Sequence, residues 1–266
     1  MQLKNQPNNT QYNAISSNQQ KAITEETNNE DDKHVLHLWE PLNFKISKNY
    51  KFINTNPIFL LFSDLLYLIA FPILWIFNKL TTGLKIYGRR NLTSINGGKI
   101  TISNHVHVMD CTIAGVVNFP HKTYFLSLKS NFNIPVVNVI IRLLNAIPIP
   151  DDLDNKKRFY QAINQLLKEG KTLHVYPEGS LWPYYTKLRS FKSGAFRFAV
   201  ENNVPIVPMV YKFVEPTGIL KFIKKKPCLE LHILPAMYPN NNLPKEDAII
   251  ELKNKVHLAM ESELQN

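Results

Sequence analysis

From residue 83 to residue 234, short apolar runs of strand length alternate with stretches whose apolar residues recur at helical spacing. This alternation constrains the fold more than any other feature of the chain. Strands joined through helices lie parallel in one sheet, and such a sheet is covered on both faces. Leu84-Lys85-Ile86-Tyr87 reads as a strand ending at Gly88, and Asn96-Gly97-Gly98 as a turn before a buried strand over 100–103. Segments 122–128, 146–150, 173–176, 206–211 and 229–234 read as further extended pieces. Residues 134–144 carry an apolar helical face. Asp151, Asp152 and Asp154 open a helix that places Phe159, Ile163, Leu166 and Leu167 on one side and stops at Gly170. Residues 193–202 form another helix, and a last one starts near Pro244 with Ile249, Val256 and Met260 on one side. The expected fold class is α/β, a mostly parallel central sheet covered by helices, and the chain is long enough to bury a full core.

Such sheets place their chemistry just beyond the carboxyl ends of the strands. Asn104-His105-Val106-His107-Val108-Met109-Asp110 lies at one such junction, between the 100–103 strand and a helix opening near Cys111. Five positions separate His105 from Asp110. On one regular helix that offset turns the two side chains apart, so they meet only if His105 sits on the turn and Asp110 on the first helical turn. The carboxylate then holds one imidazole nitrogen and leaves the other as a base. A second cluster, Tyr176-Pro177-Glu178-Gly179-Ser180, also ends a strand. Gly179 permits close backbone approach to a ligand, while Glu178 and Ser180 can bind hydroxyls. Downstream, Lys187, Arg189 and Lys192 surround Phe191, and Ser193-Gly194 opens a helix, which together make a candidate phosphate site. His105 and His107 form a His-x-His pair, but Asp110 falls one place late for a binuclear hydrolase and Cys111 follows it. No metal site is expected.

The remainder of the chain is of a different kind. Residues 1–35 are polar, carry no apolar leader, and are expected to be a disordered tail. Residues 36–82 read as a membrane-associating helical segment. Its first part mixes Trp39, Phe44, Tyr50 and Phe52 with Lys45, Lys48 and Lys51, as suits a membrane–water boundary or, equally, an ordinary surface helix. Residues 58–77 are the most apolar run, long enough to cross a bilayer core. Asp64 inside hydrocarbon would cost about 2.5–3.5 kcal/mol, and Pro72 would bend the helix. A surface-embedded or re-entrant helix pair therefore fits as well as a span. The net charge of +10 lies beyond the first 33 residues, where three lysines face five acids. Without a nucleic-acid motif, that excess points to an anionic membrane surface or phosphorylated substrates. Cys111 and Cys228 offer no disulfide framework and are expected to be reduced, as in a cytosolic protein.

Taken together, these motifs resemble those of the glycerolipid acyltransferase family, which includes the 1-acylglycerol-3-phosphate acyltransferases. Asn104, His105 and Asp110 match its Asn-His-x4-Asp segment, and Tyr176-Pro177-Glu178-Gly179-Ser180 its aromatic-Pro-Glu-Gly-Thr/Ser segment. Phe191, Lys192, Gly194 and Ala195 match the Phe-Lys-x-Gly-Ala that follows, and Val204-Pro205-Ile206-Val207-Pro208 its last motif. Two departures stand out. Leu181 occupies a place usually held by Arg, and Ile147-Pro148-Ile149-Pro150 is followed by acids where the family has an Arg thought to hold the acceptor phosphate. The resemblance implies a membrane-associated O-acyltransferase acting on the cytoplasmic face. His105 and Asp110 would be catalytic, and Glu178, Gly179, Ser180, Lys187, Arg189 and Lys192 would bind substrate. The donor would be acyl-CoA or acyl carrier protein, the acceptor lysophosphatidic acid, glycerol 3-phosphate or another lysophospholipid, with no further cofactor. Two other classes stay open: a thioester or ester hydrolase using the same pair with water, and a non-catalytic membrane protein of this fold.

Overall fold

The structure, a computed structural model, describes residues 45–266. The expected tail at 1–35 and the opening of the segment that follows, with Trp39 and Phe44, lie outside the described residues. In chain order the elements are helix α1 (Pro57–Thr82), β1 (Lys85–Tyr87), α2 (Arg90–Thr93), β2 (Lys99–Ser103), α3 (Asp110–Val117) and β3 (Thr123–Leu128). There follow α4 (Val137–Leu143), β4 (Ala146–Ile149), α5 (Leu153–Lys168), β5 (Thr172–Val175), α6 (Gly194–Asn202) and β6 (Ile206–Val214). The last three are α7 (Leu220–Ile223), β7 (Cys228–Ile233) and α8 (Lys245–Gln265).

The strands form one seven-stranded sheet in the order β1-β7-β6-β2-β5-β3-β4. Every pairing is parallel except β6 with β7, which run antiparallel. The mostly parallel, helix-covered sheet read from the alternation is therefore the one observed. Strand β2 lies at its centre between β5 and β6 and is buried along its whole length. Side chains alternate across the sheet as the period of two requires. Ile206 and Val210 of β6 join Ile100, Ile102, Leu173, Phe159, Ile163, Phe196, Leu252 and Val256 on the face covered by α5, α6 and α8. Val207, Met209 and Tyr211 turn the other way, toward Val106, Ile113, Val117, Leu229 and Leu231 beneath α3. Burying each such side chain contributes about 1.5–3 kcal/mol.

Helix α1 is one continuous helix with Pro72 inside it, not a pair of helices joined there. Asn56 caps its start by accepting from the Ile58 N–H, and Gly83 closes it in the left-handed conformation with its N–H on the Lys79 carbonyl. Ser63, Tyr67, Phe71, Asn78 and Thr82 form a buried stripe at near-helical spacing along its length. Gly115 of α3 lets the helices close, since a Cβ there would come within 3.0 Å of the Phe71 ring. The opposite side of α1 exposes Ile58, Leu61, Phe62, Leu65, Leu68, Ile69, Ile73, Ile76 and Leu80. Asp64 sits at the flank, paired with Lys122 at 2.6 Å.

The described part of the segment before α1 lies against the domain. Residues 46–53 pack on the α/β domain: Phe52 belongs to the main core and meets Phe159 edge-on. Asn155 donates to the Ile46 carbonyl, and Arg158 to the carbonyls of Ser47 and Tyr50. Tyr50 and Phe52, two of the aromatic residues that suggested a membrane boundary, take part in this packing.

Candidate active site

The register of β2 on β5 pairs Ile102 with Val175, so the chain leaves both strands side by side at their carboxyl ends. This brings the two motifs together. The Trp182 N–H donates to the His105 carbonyl at 3.0 Å and the Tyr184 N–H to that of Val106 at 2.8 Å. His105 sits on the turn and Asp110 is the first residue of α3, the arrangement that the five-residue offset demands.

His105 Nδ1 and Asp110 Oδ2 are 3.1 Å apart, with the carboxylate fully buried and the imidazole side chain 22% exposed. The same oxygen accepts from the backbone N–H groups of Val106 at 2.8 Å and His107 at 2.9 Å. Three nitrogens thus converge on this one oxygen at the amino end of α3. An anionic Asp110 puts the proton on Nδ1 and leaves Nε2 as the basic nitrogen. Nε2 makes no hydrogen bond among the described residues. The ring is held from one side by Tyr176, stacked at 3.8 Å between centroids. Burial pushes the Tyr176 phenol well above its ordinary range, so it is neutral in that position.

Two residues that the motif reading did not assign a role hold the turn in place. The Asn104 side chain accepts from the Tyr211 N–H at 2.8 Å and donates to the Tyr211 carbonyl at 3.0 Å. It thus extends the β2–β6 ladder one step past the last strand residue. The Tyr211 hydroxyl donates to the Asp110 carbonyl. Only the fold brings Tyr211 to the site, from 101 positions away along the chain.

Glu178, Ser180 and Arg189 were expected to touch substrate, and the structure turns all three inward. Each is at most 4% exposed. Glu178 accepts from the His105 N–H at 3.1 Å, the Arg189 N–H at 3.1 Å and the Arg189 guanidinium at 3.0 Å. Arg189 in turn donates to the Ser180 hydroxyl at 2.8 Å and to the Ser180 carbonyl, and lies over the Trp182 ring. This buried pair ties the loop after β5 to the His105 turn. Gly179 remains exposed with φ of +84°, and a Cβ on it would lie 3.0 Å from Lys192 Cε. Lys187 and Lys192 are exposed, and Lys192 precedes the amino end of α6.

The other histidines separate by environment. His107 Nδ1 accepts from the Met109 N–H. Burial lowers its pKa, helped by Lys224 and Lys226 and opposed by Asp110. His174 is buried under Thr101 and Ser103, and burial drives it down to about 3. His232 lies between Glu263 at 2.7 Å and Glu230 at 3.4 Å, on the far β1–β7 side.

Residues 83–212 match the family model described as Acyltransferase. Among curated proteins, the chain is 28% identical over 137 residues to a chloroplastic 1-acyl-sn-glycerol-3-phosphate acyltransferase of Brassica napus, a stretch covering 50% of this chain and 39% of that one. A chloroplastic enzyme of the same description from Arabidopsis thaliana is 27% identical over 51% of this chain and 38% of its own. The Saccharomyces cerevisiae 1-acyl-sn-glycerol-3-phosphate acyltransferase is 29% identical over 67% of this chain and 59% of its own. The matched stretch thus spans about two-fifths of the length of the plant relatives. Among solved structures, the fold resembles that of the 1-acyl-sn-glycerophosphate acyltransferase PlsC from Thermotoga maritima. The TM-score is 0.55 at 23% identity, over 78% of this chain and 87% of that one.

Proposed function

We propose that the chain is a glycerolipid acyltransferase, as the Acyltransferase match over residues 83–212 and its 1-acyl-sn-glycerol-3-phosphate acyltransferase relatives support, and that it moves a fatty acyl group from acyl-CoA or acyl carrier protein to the free hydroxyl of lysophosphatidic acid. The observation that carries this reading is the His105–Asp110 pair, with Nδ1 committed to the carboxylate and Nε2 left unbonded at a strand end. Nε2 takes the proton of the acceptor hydroxyl as its oxygen attacks the thioester carbonyl. The tetrahedral intermediate collapses with loss of the thiolate, which recovers the proton from the imidazolium. Asp110 stabilises that imidazolium and the ring is steadied by Tyr176. No acyl-enzyme is needed.

Arg189 is buried with Glu178 and Ser180, so the reading gives the acceptor phosphate to the exposed Lys192 and Lys187, with the amino end of α6 beside Lys192. Membrane association is part of the same proposal. The domain packs along the α1 stripe from Ser63 to Thr82, while the outer face is apolar and exposed. A helix sheathed by a polar domain along one side enters a bilayer lengthwise, in the plane of one leaflet, more readily than end-on. The reading places it on the cytoplasmic face, where acyl thioesters and reduced thiols coexist.

The test is an assay of purified, solubilised protein with labelled acyl-CoA and lysophosphatidic acid. Phosphatidic acid is the expected product, abolished in His105→Ala. Free fatty acid formed equally without acceptor would favour the hydrolase reading, and full activity in His105→Ala would remove the mechanism. Glycerol 3-phosphate and other lysophospholipids in parallel identify the acceptor.

A further inference from the structure

Between β6 and β7 the chain makes a projection, residues 216–226, built around the single turn of α7. Its apolar side chains point into solvent: Ile219 is 74% exposed, Phe222 89% and Ile223 69%. Lys221, Lys224, Lys225 and Lys226 stand among them, and the segment contains no acid. Exposure on this scale gains nothing for folding, and an aromatic and two aliphatic side chains beside four cations are the composition of an anionic lipid interface.

Its position supports the same conclusion. Lys224 donates to the Thr81 carbonyl at the end of α1, and the Leu220 side chain packs where α1 ends at Gly83. Leu80 and Lys79 on the last turn of α1 are exposed next to it. The projection therefore continues the exposed apolar face of α1. On its other side, the Lys226 ammonium lies 5.8 Å from the centre of the Tyr184 ring, and Tyr184 bonds the Val106 carbonyl in the His105 turn. The segment thus spans the gap between the apolar helix and the candidate active site.

We propose that residues 219–226 form a second membrane-docking element, with Ile219, Phe222 and Ile223 seated at the headgroup–acyl boundary and the exposed Lys221 and Lys225 on anionic headgroups. This holds the His105 cleft at the lipid surface, where an anionic acceptor and product reside. The proposal rests on the reading of α1 as membrane-embedded. An acidic carrier protein would match the lysines, but it would leave unexplained the apolar continuity with α1.

The experiment uses the full chain reconstituted in vesicles of phosphatidylcholine alone or with phosphatidylglycerol. An environment-sensitive fluorophore is attached to Phe222→Cys or, as a control far from the projection, to Asn242→Cys. The unsubstituted chain sets the background from Cys111 and Cys228. The expected result is a blue shift and protection from aqueous iodide at position 222 alone, stronger in anionic vesicles. Lys221→Gln/Lys225→Gln, two exposed changes, should weaken the seated state about ten-fold or more. Thermal unfolding checks that the variants fold. If the chain floats with vesicles while position 222 stays open to iodide, the docking element is refuted and the α1 reading stands. If the chain does not float, the α1 reading fails and this proposal with it. Protection that appears only on adding acyl carrier protein, or only on raising protein concentration without lipid, would also overturn it.

Discussion

Replacing Glu178 by Gln separates a scaffold role for this carboxylate from a substrate contact. Glu178 and Arg189 are 3% and 4% exposed, and the carboxylate accepts three hydrogen bonds, one of them from the His105 backbone. Gln has one acceptor oxygen, so it turns an NH2 toward a donor on the other side. It also leaves the guanidinium buried without its countercharge. Removing one member of a buried pair costs about 3–5 kcal/mol, a large part of the roughly 5–15 kcal/mol that holds a native protein folded. At about 2–4 °C per kcal/mol for a domain of this size, the apparent Tm should fall by about 6–20 °C. The assay is thermal unfolding in lipid or detergent, with acyl-transfer kinetics below the transition. We expect kcat to fall because the His105 turn loses its anchor, while KM for the acceptor stays within about two-fold. The double variant Glu178→Leu/Arg189→Leu should recover much of the Tm, since apolar pairs replace buried ion pairs at little cost. It should not recover kcat, because the His105 N–H still lacks an acceptor. A Glu178→Gln protein with an unchanged Tm and only a raised acceptor KM would refute the scaffold assignment.

Asp110→Asn keeps the size of the side chain but removes the charge that fixes the His105 tautomer, so kcat should fall by about 10³–10⁴; a fall below ten-fold would argue against the pair. Lys192→Gln should raise KM for a phosphate-bearing acceptor by about ten-fold or more while leaving KM for acyl-CoA unchanged, as steady-state kinetics with each substrate varied will show. His174 contributes to stability in a defined pH window. Its imidazole is held at about 3 when folded, against an ordinary value of 6.5, so the unfolded chain binds the extra proton between those limits. Stability is therefore full above about pH 6.5 and is lost as pH falls toward 3, at up to about 1.4 kcal/mol per pH unit from this group. Denaturation midpoints across that range should show a shallower slope in His174→Gln than in the parent.

Local patterns carried most of the architecture. The strand–helix alternation, the Asp152 cap, the stop at Gly170 and the apolar face of α8 all appear where short-range chemistry sets them. The β6–β7 hairpin was less legible as antiparallel, because neither strand sequence encodes its direction and the long 216–226 excursion hides the return. The short α2 and α7 turns have too few residues to show a period. In the site, His105 and Asp110 were readable because a fixed five-residue offset across a strand–helix junction allows one useful geometry. Asn104 lay within the same motif, but its role appears only against Tyr211 on a strand more than 100 positions later. The polarity of Glu178, Ser180 and Arg189 suggested contact with substrate. A sequence does not say whether a carboxylate and a guanidinium 11 positions apart face solvent or each other.

The sequence by itself determined the covered, mostly parallel sheet, the His–Asp pair at a strand end and the apolar character of α1. These depend on periodicity and spacing within single elements, which the covalent geometry of the chain transmits directly. Only the tertiary structure decided that β5 delivers Glu178 under the His105 turn, that residues 46–53 pack on the core, and that α1 lies against the domain along a stripe from Ser63 to Thr82. Those outcomes are set by strand order and register, where burial summed over many distant side chains selects one arrangement among several that the local pattern permits.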